Sequence, residues 1–193
     1  MLEILIVEDD LEKLKQISNA LSTVDGVIIE RIKHVVDGLT ARKLLRDKYF
    51  DLLILDIAIP PRIDQEVESL GGLELLKEII GREIYNVPSH IIGITGYKDI
   101  YLKVEKEFKA DLLTILYYEP SSDDIFNKLR SKVGIISSSK LGATSAIQDY
   151  SSHLGIICAT EKPELEAVLK NGWSWNKLKF INDETDYYQS RLE

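Results

Sequence analysis

Five short apolar runs, separated by stretches with helical spacing, constrain the fold of this 193-residue chain more than any other feature. The runs lie at residues 4–7, 27–29, 52–55, 91–94 and 112–116. Between them apolar residues recur at helical spacing, for example Ile100, Val104 and Phe108. Short continuous apolar runs are typical of strands buried on both faces of a sheet. The alternation therefore predicts a parallel α/β sheet with right-handed crossovers and helices on both faces.

Acidic residues follow two of these predicted strands. Glu8 and Asp9 come directly after the first run, and Asp56 follows the third. Ligands bind to parallel sheets at the carboxyl ends of the strands, so we expect these carboxylates to share one crevice. Because their mutual repulsion favours a hard cation with oxygen ligands, the pattern predicts Mg²⁺. Asp56 could then act as a nucleophile towards a phosphoryl group, and Thr95, after the fourth run, could hydrogen-bond a phosphoryl oxygen.

The motifs ILIVEDD, DLLILDIAIP, GGLELLKEI and IIGITG, with a proline after the fifth run, resemble the receiver domains of two-component response regulators. The resemblance covers residues 1–138 and implies a flavodoxin-like (βα)5 fold whose five-stranded sheet has the order 2-1-3-4-5. It implies that Asp56 is the phosphoacceptor and Thr95 the switch hydroxyl. The implied Mg²⁺ ligands are Glu8, Asp9, Asp56 and the backbone carbonyl of Ala58. The implied phosphoryl donor is a histidine kinase or a histidine phosphotransfer protein.

Two residues, one at the end of the fifth run and one shortly after it, depart from the family's pattern. Glu119 stands directly before Pro120, where the family has a lysine, and Leu116 stands at the position of the aromatic switch residue. Two like charges about 5 Å apart repel by about 3 kcal/mol at an effective dielectric of about 20. Glu119 would therefore oppose phosphorylation if it faced Asp56. Leu116 predicts that the usual aromatic rotamer switch is missing.

A third departure concerns the loop after Asp56. Gly72 follows Asp56 by 16 residues, a longer separation than in the family. The intervening residues 61–69 form an enlarged loop, which is either simply solvated or acts as a lid or a partner-binding surface. Lys98 and Arg62 are the two candidates for a cation that replaces the missing lysine.

Composition narrows the classes of partner. The net charge of -8 and the pI near 5.0 oppose a nucleic-acid partner, because binding to phosphate backbones relies on clustered Lys and Arg. The sequence has no apolar run of the roughly 20 residues that span a bilayer and no signal peptide. We therefore expect a cytoplasmic protein without a membrane partner.

The C-terminal part has a different composition. Residues 139–152 are rich in Ser, Gly, Ala and Thr and predict a linker or a frayed helix end. Residues 153–193 predict a second unit, with a strand at 153–159, a helix at 164–170 and a further strand near 187–192. Its stretch LGIICATEKPELEAVL and the later ETDYYQSRLE resemble the start of the nucleoside phosphorylase and nucleosidase superfamily. That resemblance implies a longer protein with a purine-nucleoside-cleaving domain.

Two functions remain open from the sequence. The first is a phosphoacceptor module that uses Mg²⁺ and controls a C-terminal output domain. The second is a phosphorylation-independent pseudo-receiver that acts as a dimerisation or docking module, with residues 153–193 as its extension. Unpaired strand edges in that segment favour a homodimer in either case.

Overall fold

The structure of this chain is a computed structural model that describes residues 1–111, 113–153, 178–181 and 187–190. It divides into two compact units, Met1–Ser138 and Ser139–Glu193. The strands of the first unit are β1 (Ile4–Val7), β2 (Ile32–Val35), β3 (Leu52–Asp56), β4 (His90–Thr95) and β5 (Thr114–Tyr117). The helices are α1 (Leu11–Ser22), α2 (Gly38–Asp47), α3 (Gly71–Gly81), α4 (Lys98–Ala110) and α5 (Asp124–His153).

The five strands form one parallel sheet in the order β2-β1-β3-β4-β5, which confirms the predicted fold class. In the register of the sheet, Val7 pairs with Leu55 of β3, and Asp56 pairs with Ile94 of β4. The carboxyl ends of β1, β3 and β4 therefore meet at one edge. Residues that follow these strands are brought together there, as the sequence predicts.

Helices cover both faces of the sheet through two separate apolar clusters. On one face α2, α3 and α4 pack against the sheet in a cluster that includes Leu53 of β3, Leu76 of α3 and Phe108 of α4. On the other face α1 and α5 pack against a cluster with Ile54 and Leu129. Strand neighbours such as Leu53 and Ile54 point to opposite covered faces, so residues 52–55 of β3 form a continuous apolar run.

The predicted second strand is wrong in position. Residues 27–29 were expected to form it, but Ile29–Arg31 is a single helical turn and β2 follows at Ile32–Val35. β2 lies at the edge of the sheet, where exposed Lys33 alternates with partly buried neighbours. Half-exposed edge strands need no continuous apolar run. The more apolar stretch before it therefore gave a misleading signal.

Residues 139–152, predicted to be a linker or a frayed helix end, are helical as part of α5. The sequence from Asp124 to His153 contains no proline, so each added residue can continue the helical hydrogen-bond ladder despite the polar composition. Among the described residues, no helix has the length and hydropathy needed to cross a membrane, and this includes α5. The predicted domain boundaries, with a receiver at 1–138, a linker at 139–152 and a further unit at 153–193, stay a prediction.

The second unit contains a pair of antiparallel strands, β6 (Leu178–Ile181) and β7 (Tyr187–Ser190), and β7 agrees with the strand predicted near 187–192. His153, expected to begin a strand, is the last residue of α5. The rest of the predicted strand, residues 154–159, and the predicted helix at 164–170 lie outside the described residues. So does the stretch that resembles a nucleosidase.

Candidate functional site

Three carboxylates meet at the carboxyl edge of the sheet. One oxygen from each of Glu8, Asp9 and Asp56 lies within 4.8 Å of the other two, and we call these residues the acidic cluster. Glu8 and Asp9 follow β1, and Asp56 ends the neighbouring strand β3. Glu8 and Asp56 are buried, and Asp9 is partly exposed, so the cluster opens to solvent on the side of Asp9.

Backbone groups hold the cluster in place. Oδ1 of Asp56 accepts a hydrogen bond from the amide of Ala58 at 3.0 Å, and Ala58 is itself buried. Oε1 of Glu8 accepts one from the amide of Asp10 at 3.1 Å. Asp10, the third acid of the run, caps α1 by accepting from the amide of Glu12 at 2.8 Å. Its carboxylate therefore serves the helix and leaves the ligand positions to its neighbours.

A buried lysine completes the cluster. Nζ of Lys13 lies 2.8 Å from Oε2 of Glu8 and donates a hydrogen bond to Oδ2 of Asp56. The side chain of Lys13 is 6% exposed, which is unusual for a lysine unless its charge is paired. Neither Lys98 nor Arg62, the cations expected from the sequence, takes this place, and both are exposed. Lys13, which was not among the candidates from the sequence, is the cation that contacts the acidic cluster here.

Burial and crowding perturb the acidic cluster. Burial, reinforced by the neighbouring charge of Asp56, raises the pKa of Glu8 to about 8 although Lys13 acts in the opposite direction. Burial also raises the pKa of Asp9. Desolvation alone would lower the pKa of Lys13, but the carboxylates of Asp56 and Glu8 outweigh it and the pKa is raised. The pocket therefore holds more negative charge than one ammonium can neutralise.

The residues present fit a divalent cation. All three side chains of the acidic cluster offer oxygen, the ligand type that Mg²⁺ and Mn²⁺ prefer. Oε2 of Glu8 is buried and accepts no hydrogen bond of good geometry, although Lys13 lies close to it. Buried polar atoms normally have partners, so an unsatisfied oxygen inside a group of carboxylates is a place where a cation or its water would be favourable.

Thr95 lies at the same edge of the sheet as the acidic cluster. It is the last residue of β4, and the preceding Ile94 pairs with Asp56. Thr95 is completely buried, and its hydroxyl accepts a hydrogen bond from the amide of Tyr97 at 3.2 Å. This contact leaves the hydroxyl hydrogen available to donate to another oxygen.

Glu119 stands apart from the acidic cluster. It is exposed and lines a cavity of about 360 Å³ whose walls include Tyr101, Tyr117 and Lys128. Glu119 is therefore not one of the residues that form the acidic cluster. Leu116 is buried in the apolar cluster under α1 and α5, so it is a core residue.

The enlarged loop at residues 61–69 is largely exposed and is fastened at its end by a single antiparallel bridge between Ile59 and Glu68. Together with α4 it encloses a cavity of about 400 Å³ next to the acidic cluster. The lining includes Ala58, Val67, Leu70, Tyr97 and Lys103. This geometry places the loop beside the pocket, and both interpretations of it remain open.

Gly72 packs directly against the end of β3, the strand that carries Asp56. A Cβ atom added to it would lie 2.0 Å from the backbone oxygen of Asp56 and 2.9 Å from Cα of Ile57. The amide of Gly72 also donates to the carbonyl of Ile57 at 3.0 Å. The first turn of α3 can approach β3 this closely only with glycine, so Gly72 helps to fix the backbone that carries Asp56.

Sequence reasoning missed Lys13 because a single lysine in an amphipathic helix is normally solvated. A signal was nevertheless present. Asp10 is a typical N-cap residue, and a helix that begins at Leu11 places Lys13 in its first turn. Helical side chains point towards the helix N-terminus, which here means towards the end of β1 and Glu8. The position of a lysine relative to its cap could therefore have predicted its direction.

Comparisons of the sequence with known proteins give one relative and no family model. No family model matches the chain. The whole chain aligns at 28% identity with uncharacterized protein y4jS of Sinorhizobium fredii (strain NBRC 101917 / NGR234), and it spans about half, 48%, of that relative.

Solved structures of response regulators resemble the first unit. The Mn(2+)-bound form of response regulator Rcp1 superimposes with a TM-score of 0.55 at 19% identity, over 68% of this chain and 91% of that one. The receiver domain of Francisella response regulator 1452 gives 0.53 at 20% identity, over 72% and 99%. The phosphorylated cyanobacterial phytochrome response regulator RcpA gives 0.51 at 19% identity, over 67% and 89%. The sheet order and these superpositions show that the chain contains the (βα)5 fold of response regulator receiver domains.

Proposed function

We propose that residues 1–138 form a phosphoacceptor module of a two-component system. An oxygen of Asp56 attacks the phosphorus of a phosphohistidine on a histidine kinase or phosphotransfer protein. The phosphorus–nitrogen bond breaks, the histidine leaves as a neutral imidazole after protonation, and Asp56 becomes an acyl phosphate. The observation that carries the proposal is the acidic cluster, in which Asp56 lies within 4.8 Å of two further carboxylates at a strand end.

The chain's own residues would hold Mg²⁺ as the cofactor. Asp9, Asp56 and the backbone carbonyl of Ala58 are the proposed direct ligands, and Glu8 completes the oxygen-rich environment. When bound, the cation would offset the charge that collects on the phosphoryl oxygens during transfer. Thr95 would donate its hydroxyl hydrogen to one of those oxygens. Support comes from the oxygen-only donor set, in which three carboxylate oxygens lie within 4.8 Å of one another.

Beryllofluoride tests this function, because it mimics a phosphoryl group on a carboxylate. We expect saturable binding of beryllofluoride that requires Mg²⁺. The binding is measured by the intrinsic fluorescence of the protein or by titration calorimetry. Fluoride and Mg²⁺ without beryllium serve as the control. Absence of binding at millimolar Mg²⁺ would contradict the proposal.

The second candidate function is a phosphorylation-independent interaction module. The observation in its favour is Lys13, which already pairs with Asp56 and Glu8 without any phosphoryl group. In this case the chain should bind a partner, or a second copy, equally well with and without beryllofluoride. Analytical ultracentrifugation under both conditions separates the two functions, since only the first couples oligomeric state to the phosphomimetic. The cytoplasmic location and the absence of nucleic-acid binding remain part of both proposals.

We also propose that the module controls an output domain in a longer protein. The chain spans only 48% of its relative y4jS, and the stretch that resembles a nucleosidase motivates a nucleoside-cleaving output. A longer protein that contains this chain should then release a free base from purine nucleosides, at a rate that changes when a small-molecule phosphodonor is added. A protein with no such release under either condition would remove this output from consideration.

A further inference from the structure

Lys13 is the most unusual charged residue in the described part of the first unit. Its side chain is 6% exposed, and its ammonium group lies between Glu8 and Asp56. Burying an ammonium costs several kcal/mol unless opposite charges and hydrogen bonds compensate. A lysine in this position is therefore held by the acidic cluster, and any change in the charge of Asp56 must alter its environment.

Three contacts, two made by Lys13 and one by its neighbour Tyr118, orient this lysine. Oδ1 of Asp10 accepts a hydrogen bond from the amide of Lys13 at 3.1 Å, which fixes the first turn of α1. Nζ lies 5.6 Å from the ring centroid of Tyr118, which follows β5 and provides a cation–π contact. The hydroxyl of Tyr118 donates to Oε1 of Gln16 at 3.1 Å, so the ring is tied back to α1. The ammonium group is thus directed at Asp56 before any ligand arrives.

A phosphoryl group on Asp56 would replace the single negative charge of its carboxylate with about two, in a pocket that already contains Glu8 and Asp9. A positive group at hydrogen-bond distance is then strongly favoured. Lys13 already donates to Oδ2 of Asp56, whereas Glu119, after β5, is exposed and of the wrong sign. Lys103 lines the neighbouring cavity, but it too is exposed.

We propose that Lys13, from α1, is the ammonium group that pairs with the phosphoryl oxygens on Asp56. Before transfer it pairs with Asp56 and Glu8, and after transfer it moves its hydrogen bond from the carboxylate of Asp56 to the phosphoryl group. This inference rests on the proposed phosphoacceptor function. It assigns to a helix residue the positive charge that the family resemblance places in the loop after the fifth strand.

The same placement has a second consequence. In the absence of a phosphoryl group, the ammonium of Lys13 occupies the neighbourhood of the metal ligands and repels a divalent cation. Once the phosphoryl group is present, the ammonium and the metal are both attracted to it. Removing the charge of Lys13 should therefore have opposite effects on the binding of Mg²⁺ alone and on the binding of the phosphomimetic. A purely structural role would weaken both together.

The test compares Lys13→Met with wild type and with Lys103→Met. The second variant is the matched control, because it removes an exposed lysine that lines the cavity next to the acidic cluster. For Lys13→Met we expect beryllofluoride affinity to fall by about 10- to 100-fold, the loss typical of a charged hydrogen bond. Affinity for Mg²⁺ alone should rise. Lys103→Met should change both affinities by less than about twofold, as expected for an exposed charge. Titration calorimetry supplies both numbers, and circular dichroism checks folding.

Lys13→Gln guards against a folding defect, since glutamine keeps a hydrogen-bond donor for Asp56 and removes only the charge. It should repeat the opposite shifts of Lys13→Met. Unchanged beryllofluoride affinity, or parallel losses of beryllofluoride and Mg²⁺ affinity in folded Lys13→Gln, would overturn the role of Lys13. Failure of the wild-type protein to bind beryllofluoride would instead overturn the phosphoacceptor function, so the two failures are distinguishable.

Discussion

Gly72→Ala is expected to lower the free energy of unfolding by about 3 kcal/mol, at the upper end of the cost of overpacking a well-packed interior. The added Cβ would lie 2.0 Å from the backbone oxygen of Asp56, a distance that no real contact tolerates. The atoms in the way belong to the backbone, so no side chain can rotate to relieve the overlap. Either α3 moves away from β3, or the peptide after Asp56 is displaced.

Gly81→Ala is the matched control, because it makes the same chemical change at the other end of α3. A Cβ at Gly81 would meet no atom within 4 Å. Alanine is the better helix former by about 1 kcal/mol, so this variant should keep or slightly raise the stability of the protein. Urea unfolding followed by circular dichroism measures both variants. Equal stability of Gly72→Ala and Gly81→Ala would show that the close approach of α3 to β3 does not constrain the fold.

The site should respond together with the fold. The amide of Gly72 donates to the carbonyl of Ile57, directly after Asp56, so any displacement of α3 is transmitted to the end of β3. We therefore expect folded Gly72→Ala, at a temperature well below its unfolding midpoint, to bind beryllofluoride more weakly than Gly81→Ala. This result would show that the close packing of Gly72 against β3 helps to position Asp56.

The features that were predictable from the sequence depend on repeated patterns. Residues 52–55 of β3 are all apolar because both faces of the sheet are covered, and Ile100, Val104 and Phe108 mark the buried face of α4. Once the parallel sheet is established, its topology alone brings the ends of β1 and β3 together. The proximity of Glu8 to Asp56 thus follows from the fold and requires no knowledge of side-chain packing.

The features that were missed depend on individual contacts. β2 is an edge strand in which only Val35 is buried, so its pattern is weaker than that of the apolar stretch before it. Lys13 differs from a solvated lysine only through its position relative to the cap Asp10 and the carboxylates beyond it. The direction of Glu119 was likewise open, because one exposed side chain can turn either way. The directions of the Lys13 and Glu119 side chains depend on tertiary geometry, which a single sequence pattern does not contain.

Asp56→Asn is expected to abolish phosphoryl incorporation and beryllofluoride binding while the chain remains folded. The amide cannot attack phosphorus to give an acyl phosphate, so no alternative product forms at this position. Asparagine has nearly the same shape, and its side-chain oxygen can still accept the hydrogen bond that Ala58 now donates to Oδ1. The substitution also removes one negative charge from the acidic cluster, where the charge of Asp56 helps to raise the pKa of Glu8. The loss should therefore be chemical and not a consequence of unfolding.

Intact-mass spectrometry after incubation with a small-molecule phosphodonor and Mg²⁺ measures this loss. Asp9→Asn is the matched control, because it removes a proposed metal ligand from the same acidic cluster and leaves the acceptor in place. It should lower Mg²⁺ affinity by at least about 10-fold, yet still accept the phosphoryl group when Mg²⁺ is raised. Phosphoryl uptake by Asp56→Asn would place the acceptor elsewhere. Uptake by neither wild type nor Asp9→Asn would favour the interaction module, in which Lys13 permanently neutralises Asp56.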